Sequence, residues 1–372
     1  MVVYVKTQGS KIIREGRHLL VRRGDATYHT LFTYKLRQLV VFGNVDITHA
    51  ALVQLMRHNI DTVFLTMNGR YLGRIAPPEA RNVYLRRRQY LLIDDHEFTI
   101  RVARSIVAGK LSNMATLLSR IKRERKSALA GERSADIQSL TEKLEGAETL
   151  ESLRGYEGRG SALYFEAFPS GFIENTGFRK RIRRPPTDPV NAVLSLLYTF
   201  LMNRVYTAIR VASLDPYPGF LHSLDYGRYS LVLDLMEEFQ PIIVDTLTLS
   251  LFNLKILKAG DFNIEKPKAV ENPDDDFTGM SDVSKDPIGL ISPVVEDENC
   301  FDLPEQRIGN EGPEPADRPS EKYPVKLNND SFRKVIDAFE KKLTTEFYHP
   351  PAERRLTYGD VILFQADQFR RV

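Results

Sequence analysis

Residues 76–80 read APPEA, and the chain changes character across them. Before them, MVVYV (1–5), HLLVRR (18–23), QLVVFG (38–43) and TVFLT (62–66) are short β-branched or aromatic runs. They are punctuated by Gly, Asn and Asp, which is the pattern of strands. One amphipathic helix, THAALVQLMRHN (48–59), lies between the last two and stops at Asn59. After them, RNVYLRRRQYLLIDDHEFTIRVARSIVAGKLSNMATLLSRIKRERK (81–126) has helical apolar spacing and few breakers. Paired prolines suit a linker or a helix's first turn, where a missing N–H does no harm. The boundary is therefore placed here. The expected fold class is α+β: a small N-terminal β-rich domain, 1–78, followed by a larger all-α domain, 79–372.

The helical texture continues beyond residue 126. Ile137, Leu140 and Leu144 share one helical stripe, VNAVLSLLYTFLMNRVYTAIRVA (190–212) reads as a buried helix, and SFRKVIDAFEKKLTTEFY (331–348) places Phe332, Ile336, Phe339 and Leu343 on one face. Between the last two, 264–325 is acidic and proline-rich and is expected to be a flexible insertion. No apolar run is read as reaching the roughly 18–20 residues of a membrane span. The opening MVVYVKTQGSKIIREG lacks the layout of a signal peptide. With a single cysteine, Cys300, neither a disulfide framework nor a thiolate metal site is available. A reducing cytoplasm is the expected compartment, with no membrane partner.

The net charge of +3 conceals a division. Residues 1–150 hold 25 Lys/Arg against 14 Asp/Glu, while 264–320 hold 5 against 15. Arg81, Arg86, Arg87, Arg88, Arg101, Arg104, Lys110, Arg120, Lys122 and Arg123 fall in one helical region, and RKRIRRPP (179–186) adds Arg181, Arg183 and Arg184. Such Lys/Arg surfaces bind phosphate backbones without reading sequence. Of these, Arg86, Arg87, Arg88, Lys110, Arg120, Arg181, Arg183 and Arg184 are the expected nucleic-acid contacts, although charge alone does not name the polyanion.

Two stretches carry candidate chemistry. In LDPYPGFLHSLDYGRYSLVLDLMEEFQP (214–241), Ser230 is expected to cap a helix with an apolar stripe of Val232, Leu235, Met236 and Phe239. Asp234 and Glu237 then project together from the opposite side, and a turn at Gly227–Arg228 can fold His222 back toward them. One imidazole beside two carboxylates suits Mg²⁺ or Mn²⁺, the histidine tilting the choice toward Mn²⁺. Spacing alone leaves open that His222 is structural and that DLMEEF is a wet helix face. In RGYEGRGSALYFEAF (154–168), Gly155, Gly158 and Gly160 leave little bulk around Glu157, so a backbone or phosphate can come close. It matches neither a Walker loop nor a dinucleotide fingerprint, and a helix-breaking turn with an exposed glutamate is the other reading.

Taken together, the stretches resemble one family, CRISPR-associated protein one, the integrase of CRISPR adaptation. YVKTQGSKIIREGRHLLVRR, LVVFGNVDIT and FLTMNGRYLGRI look like its β domain. YEGRGSALYFEAF, RRPPTDPVNAVLSLLYTFL and LDPYPGFLHSLDYGRYSLVLDLMEEFQP resemble its α-domain signatures, and FRKVIDAFEKKL with ILFQADQF fits its C-terminus. The resemblance implies a metal site formed by Glu157 of the EG motif, His222 of GFLH and Glu237 of LDLMEEF, with Asp234 supporting the ion through water. It implies Mg²⁺ or Mn²⁺ as cofactor. The implied activity is endonuclease and integrase chemistry in spacer acquisition, part of antiviral defence, joining fragment 3′-hydroxyls to a CRISPR repeat by transesterification. The implied partners are double-stranded DNA, a second copy of the chain in a homodimer, and CRISPR-associated protein two in a heterohexamer. The acidic segment 264–325 is longer than the family's usual connection. Three rivals are set beside this: a metal-dependent nuclease that does not join, a non-catalytic DNA-binding scaffold, and a tyrosine recombinase using Tyr164 or Tyr217.

Overall fold

Every residue of the run QLVVF is buried, as befits a strand covered on both faces. In the computed structural model, which describes residues 1–24, 26–67, 69, 71–76, 82–182, 186–264 and 325–371, this run is β5. The N-terminal strands are β1 (Val2–Val5), β2 (Ser10–Glu15), β3 (His18–Arg23), β4 (Ala26–Phe32), β5 (Gln38–Phe42), β6 (Val45–Ile47), β7 (Asp61–Leu65) and β8 (Tyr71–Ile75). They form two four-stranded sheets, ordered β1-β5-β7-β8 and β4-β3-β2-β6. In the first, β1–β5 and β5–β7 are parallel and β7–β8 antiparallel. Because strand side chains alternate between faces, β5 serves two cores. Leu39 and Val41 join Ile12, Leu19 and Val21 in a small core between the sheets, whereas Val40 and Phe42 join the large helical core.

The helix α1 (His49–Arg57) buries Ala51 and Leu55 against the small core, with Thr48 capping it through the Ala51 N–H. Asn59, at φ 52°, supplies the left-handed residue that ends it. Strands β2, β4, β6 and β8 were not among the expected runs. Residues 26–30 of β4 are all exposed, so no apolar alternation marks that strand.

From residue 82 the chain is mainly helical: α2 (Val83–Asp94), α3 (His96–Arg125), α4 (Ala128–Lys143), α5 (Leu150–Ala167), α6 (Pro189–Val211) and α7 (Ser230–Met236). A π-helical turn at Gln240–Asp245 then leads into α8 (Thr246–Asn253). After β9 (Phe262–Ile264) and β10 (Val325–Leu327) come α9 (Asn329–Leu343), the hairpin β11 (Glu346–His349) and β12 (Arg354–Thr357), and α10 (Tyr358–Arg371). The sequence TDPVNAV sets the start of α6, because Asp188 accepts from the Asn191 N–H and Pro189 occupies the first turn. By length and composition α6 can cross a membrane, which corrects the expectation that no run is long enough. Here it is the central helix of the large core, burying Val193, Leu197, Leu201 and Ile209 completely.

The C-terminal part reaches back to the first strand. Phe332 of α9 meets Phe42 edge-on with ring centres 5.0 Å apart. Tyr4 donates to Oε1 of Glu340 at 2.5 Å, and Arg204 of α6 pairs with the same carboxylate. The expected boundary at 78/79 lies outside the described residues, as does 265–324 of the expected insertion. Its two flanks are described: Ile264 and Val325 are direct partners in an antiparallel ladder.

Candidate metal centre

Three segments distant in sequence meet at one point. Glu157 comes from α5, His222 from the loop before α7, and Glu237 from the residue that ends α7. Two glycines bring their carriers close. A Cβ on Gly160 would run into Leu111, so α5 lies tight against α3 one turn from Glu157. A Cβ on Gly219 would lie 2.7 Å from Ser230 Cβ and 2.9 Å from Asp234 Oδ2, so the loop lies directly on α7. Arg154 ties α5 to that loop by donating from Nε to the Leu221 carbonyl at 2.8 Å. The chain reverses at Gly227, φ 71°, as the sequence led us to expect.

All seven residues of α7 are buried, so the helix has no wet face. Ser230 does not cap it; its hydroxyl donates to the Ser223 carbonyl at 2.7 Å. Asp234 is fully buried, and its oxygens are occupied. Oδ2 accepts from the N–H of Phe220 at 2.5 Å and of Leu221 at 3.0 Å. Oδ1 accepts from the N–H of His222 at 2.9 Å and lies 2.6 Å from its Nδ1. Four such contacts fill a carboxylate's acceptor sites. Asp234 therefore shapes the His222 loop and holds the ring it carries.

The other ring nitrogen, Nε2 of His222, faces Glu237 Oε1 at 3.7 Å. Glu237 is 1 % exposed, and its Oε2 is paired by charge with Lys110, its one close donor among the described residues. Lys110 also contacts Glu157 Oε1 at 2.5 Å, and Ser161 donates to that oxygen at 2.8 Å. Burial alone would lower the Lys110 pKa, but the Glu157 and Glu237 carboxylates outweigh it and hold the ammonium above its ordinary value. Burial likewise pushes Glu157 up, yet Lys110, helped by Ser161, brings its carboxyl below the usual range. Next door, burial raises Glu238 to about 7.

Two carboxylates and an imidazole nitrogen form a donor set suited to Mg²⁺ or Mn²⁺. The nearly fully buried Glu237 carboxylate and the ammonium held between it and Glu157 both mark a place for positive charge. As arranged, no three His, Cys, Asp or Glu among the described residues close into a ready ligand set. The residues fit the ion, but the two glutamates are turned to Lys110.

The remaining expected residues fall in different places. Lys110, expected on a phosphate-binding surface, is 3 % exposed and belongs to the site. Sequence reasoning missed that role, although Val107 and Met114, three before and four after, put position 110 on the buried stripe of α3. Gly155, Gly158 and Gly160 lie inside α5 and make no helix-breaking turn. Arg87 and Arg88 are exposed on α2, and Arg86 is half-buried. Arg87, Tyr90, Leu91 and Leu224 line an open depression of about 210 Å³ beside the His222 loop. Arg120 is exposed and pairs with Glu124 at 2.7 Å. Arg181 is used internally, donating to the Ile182 carbonyl, Asn191 and Ser195. Arg183 and Arg184 lie outside the described residues. Tyr164 is fully buried and donates to Asp245 at 2.7 Å, which leaves it no access to a DNA phosphate. Tyr217 packs against Tyr229 with the rings tilted by 45° and their centres 4.9 Å apart.

A family model described as "CRISPR associated protein Cas1" matches residues 3–273. The chain belongs to the Cas1 family. It is 30 % identical over 367 residues to a relative named CRISPR-associated endonuclease Cas1 3, from Thermus thermophilus, covering 98 % of this chain and 91 % of that one. Its fold is similar to that of a casposase bound to integration product, at TM-score 0.77 and 20 % identity, covering 100 % of this chain and 89 % of that one. It is also similar to a chain of a Cas6-RT-Cas1–Cas2 complex, at TM-score 0.74 and 22 % identity, covering 100 % of this chain and 34 % of that one. The Cas1 family match ends before α9 and α10, yet α10 touches the site's scaffold. Phe369 lies 5.4 Å, ring centre to ring centre, from Phe220, two residues before His222.

Proposed function

We propose that this Cas1 protein is a metal-dependent DNA endonuclease and integrase that inserts DNA fragments into a CRISPR array. The observation that carries this reading is the convergence of Glu157, His222 and Glu237 in a chain of the Cas1 family. Glu157, His222 and Glu237 would hold Mg²⁺ or Mn²⁺, which when bound supplies Lewis acidity to a hydroxyl nucleophile and to the developing phosphorane charge. The fragment's 3′-hydroxyl oxygen gives up its proton and forms a bond to a repeat phosphorus, the bond to the departing strand's oxygen breaks, and that oxygen takes up a proton in turn. Asp234 holds Nδ1 of His222 and thereby aims Nε2 into the site. Water in place of the 3′-hydroxyl gives cleavage.

Arg87 and Arg88 on α2, with the depression beside Leu224, are the proposed entry for the DNA backbone. The N-terminal body, 1–78, is the proposed dimerisation domain; its edge strand β4 exposes Tyr28 and Phe32 and can meet a second copy. CRISPR-associated protein two is the proposed partner, in a heterohexamer in the cytoplasm of a prokaryote. The complex named for Cas1 and Cas2 among similar folds supports that pairing.

The test is strand transfer. A labelled duplex with free 3′-hydroxyls is mixed with a supercoiled repeat-bearing plasmid and Mg²⁺ or Mn²⁺, with and without the small partner. Label is expected to enter the plasmid with wild type and to be lost with His222→Ala. Cutting without transfer would favour the plain nuclease, and binding without either reaction would favour the scaffold.

A further inference from the structure

The proposed ligand set leaves Lys110 without a part, although it is the most central group of the cluster. Its stem packs in the buried stripe of α3, and its ammonium touches Glu157 Oε1 and Glu237 Oε2 together. Oε2 of Glu237 has Lys110 as its one close donor among the described residues. These are the two carboxylates proposed to ligate the ion. An ammonium and a divalent cation cannot occupy the space between them at once.

Resting on the metal-site reading, we propose that Lys110 is the resident counter-cation of the site, and that metal binding is an exchange in which Glu157 and Glu237 pass from its ammonium to the ion. Without a cation, the buried Glu237 and the half-buried Glu157 carboxylates repel and are poorly solvated. Lys110 removes that penalty in the metal-free protein and holds both ligands in place. Its backbone is fixed in the middle of a 30-residue helix, so after the exchange the ammonium remains beside the site.

The consequence is a pair of opposed effects. Glu157, Glu237 and Lys110 together carry a net charge of −1, which a divalent ion turns to +1. Without the lysine the loaded cluster would be neutral. A phosphodiester is an anion and gathers more negative charge as its phosphorus becomes five-coordinate, so it favours the cationic cluster. Lys110 thus weakens the ion's hold and strengthens that of the reacting phosphate. A purely structural lysine would weaken both when removed.

The experiment measures free Mn²⁺ by electron paramagnetic resonance while full-length wild type, Lys110→Met and His222→Ala are titrated, and then strand transfer at saturating Mn²⁺. Lys110→Met is expected to bind Mn²⁺ at least about tenfold more tightly than wild type, since like charges a few ångströms apart interact by several RT. Its transfer rate is expected to be at least about tenfold lower. If wild type and His222→Ala bind Mn²⁺ equally poorly, the metal-site reading itself fails. If wild type binds through His222 but Lys110→Met binds no tighter, the exchange is overturned. Should Lys110→Met be too unstable to titrate, the double variant Lys110→Met/Glu157→Gln has the wild-type net charge. It is then expected to recover much of the lost melting temperature, and failure to do so overturns the counter-cation role.

Discussion

Oδ1 of Asp234 lies 2.6 Å from Nδ1 of His222, and the same carboxylate accepts the backbone N–H of three consecutive residues, Phe220 to His222. One buried side chain thus fixes the path of the loop and the ring it carries. Pairing Nδ1 with the Asp234 carboxylate sets the plane of the ring and directs Nε2 toward Glu237. Asn at 234 offers one acceptor oxygen and turns an NH₂ toward N–H donors. Asp234→Asn is expected to cost about 2–4 kcal/mol of stability in urea melts. A further loss of about 10–100-fold in Mn²⁺ affinity or strand transfer should accompany it.

Gly219 keeps that loop against α7. Adding one methyl there must displace Ser230 or the Asp234 carboxylate, neither of which is a flexible side-chain end. Gly219→Ala is expected to lower strand transfer by about 10²-fold, the effect of moving a reacting group by roughly an ångström. Far-UV circular dichroism of the variant should match wild type.

A second buried acid gives a pH signature. Asp245 is 1 % exposed; burial raises its pKa from 3.8 to about 6, against the hydroxyls of Tyr198 and Tyr164, which favour the charged form. The folded protein thus binds this proton more tightly than the unfolded chain. Between about pH 4 and 6 stability should fall as pH rises, and above pH 6 the ionised group is a constant burden of about 3 kcal/mol. Asp245→Asn, able to accept from one tyrosine and donate to the other, is expected to be more stable than wild type at pH 7.5. That advantage should vanish near pH 4 in urea melts at the two pH values.

Arg87 and Arg181 should separate binding from folding. Arg87 is exposed on α2, whereas Arg181 donates to the Ile182 carbonyl, Asn191 and Ser195. Arg87→Ala is expected to leave the melting temperature within a degree or two of wild type. It should reduce the slope of log affinity for duplex DNA against log salt by about one. For Arg181→Ala the expectation reverses, with about 1–3 kcal/mol of stability lost and the salt slope unchanged.

The change from short β-branched runs to 3.6-residue periodicity around APPEA made the order of β and α legible, because QLVVF is a strand buried throughout and the apolar stripe of α3 is the face it buries. The strand β4 escaped because periodicity marks burial, and its first five residues have none. Asp234 and Glu237 stood out as acids in an apolar stretch, but their direction did not. With α7 buried all round, there is no opposite face for them to share. Lys110 was misread for a related reason: tallying charge along a chain ignores helical phase, and the flanking Val107 and Met114 carried the answer. The meeting of Glu157 with His222 depends on contacts between remote segments, such as Arg154 with Leu221, that no local pattern encodes.

The pairing of Ile264 with Val325 makes a doorway in the wall of the molecule. The ladder holds the two ends side by side, so β9 and β10 meet whatever length of sequence is written between them. For a flexible loop closed on such a pair, doubling the length costs only about 0.6 kcal/mol. The threshold is therefore a natural graft point. A fluorescent domain, an epitope or a shorter acidic tract could be spliced between β9 and β10, leaving the reaction centre to answer only for itself.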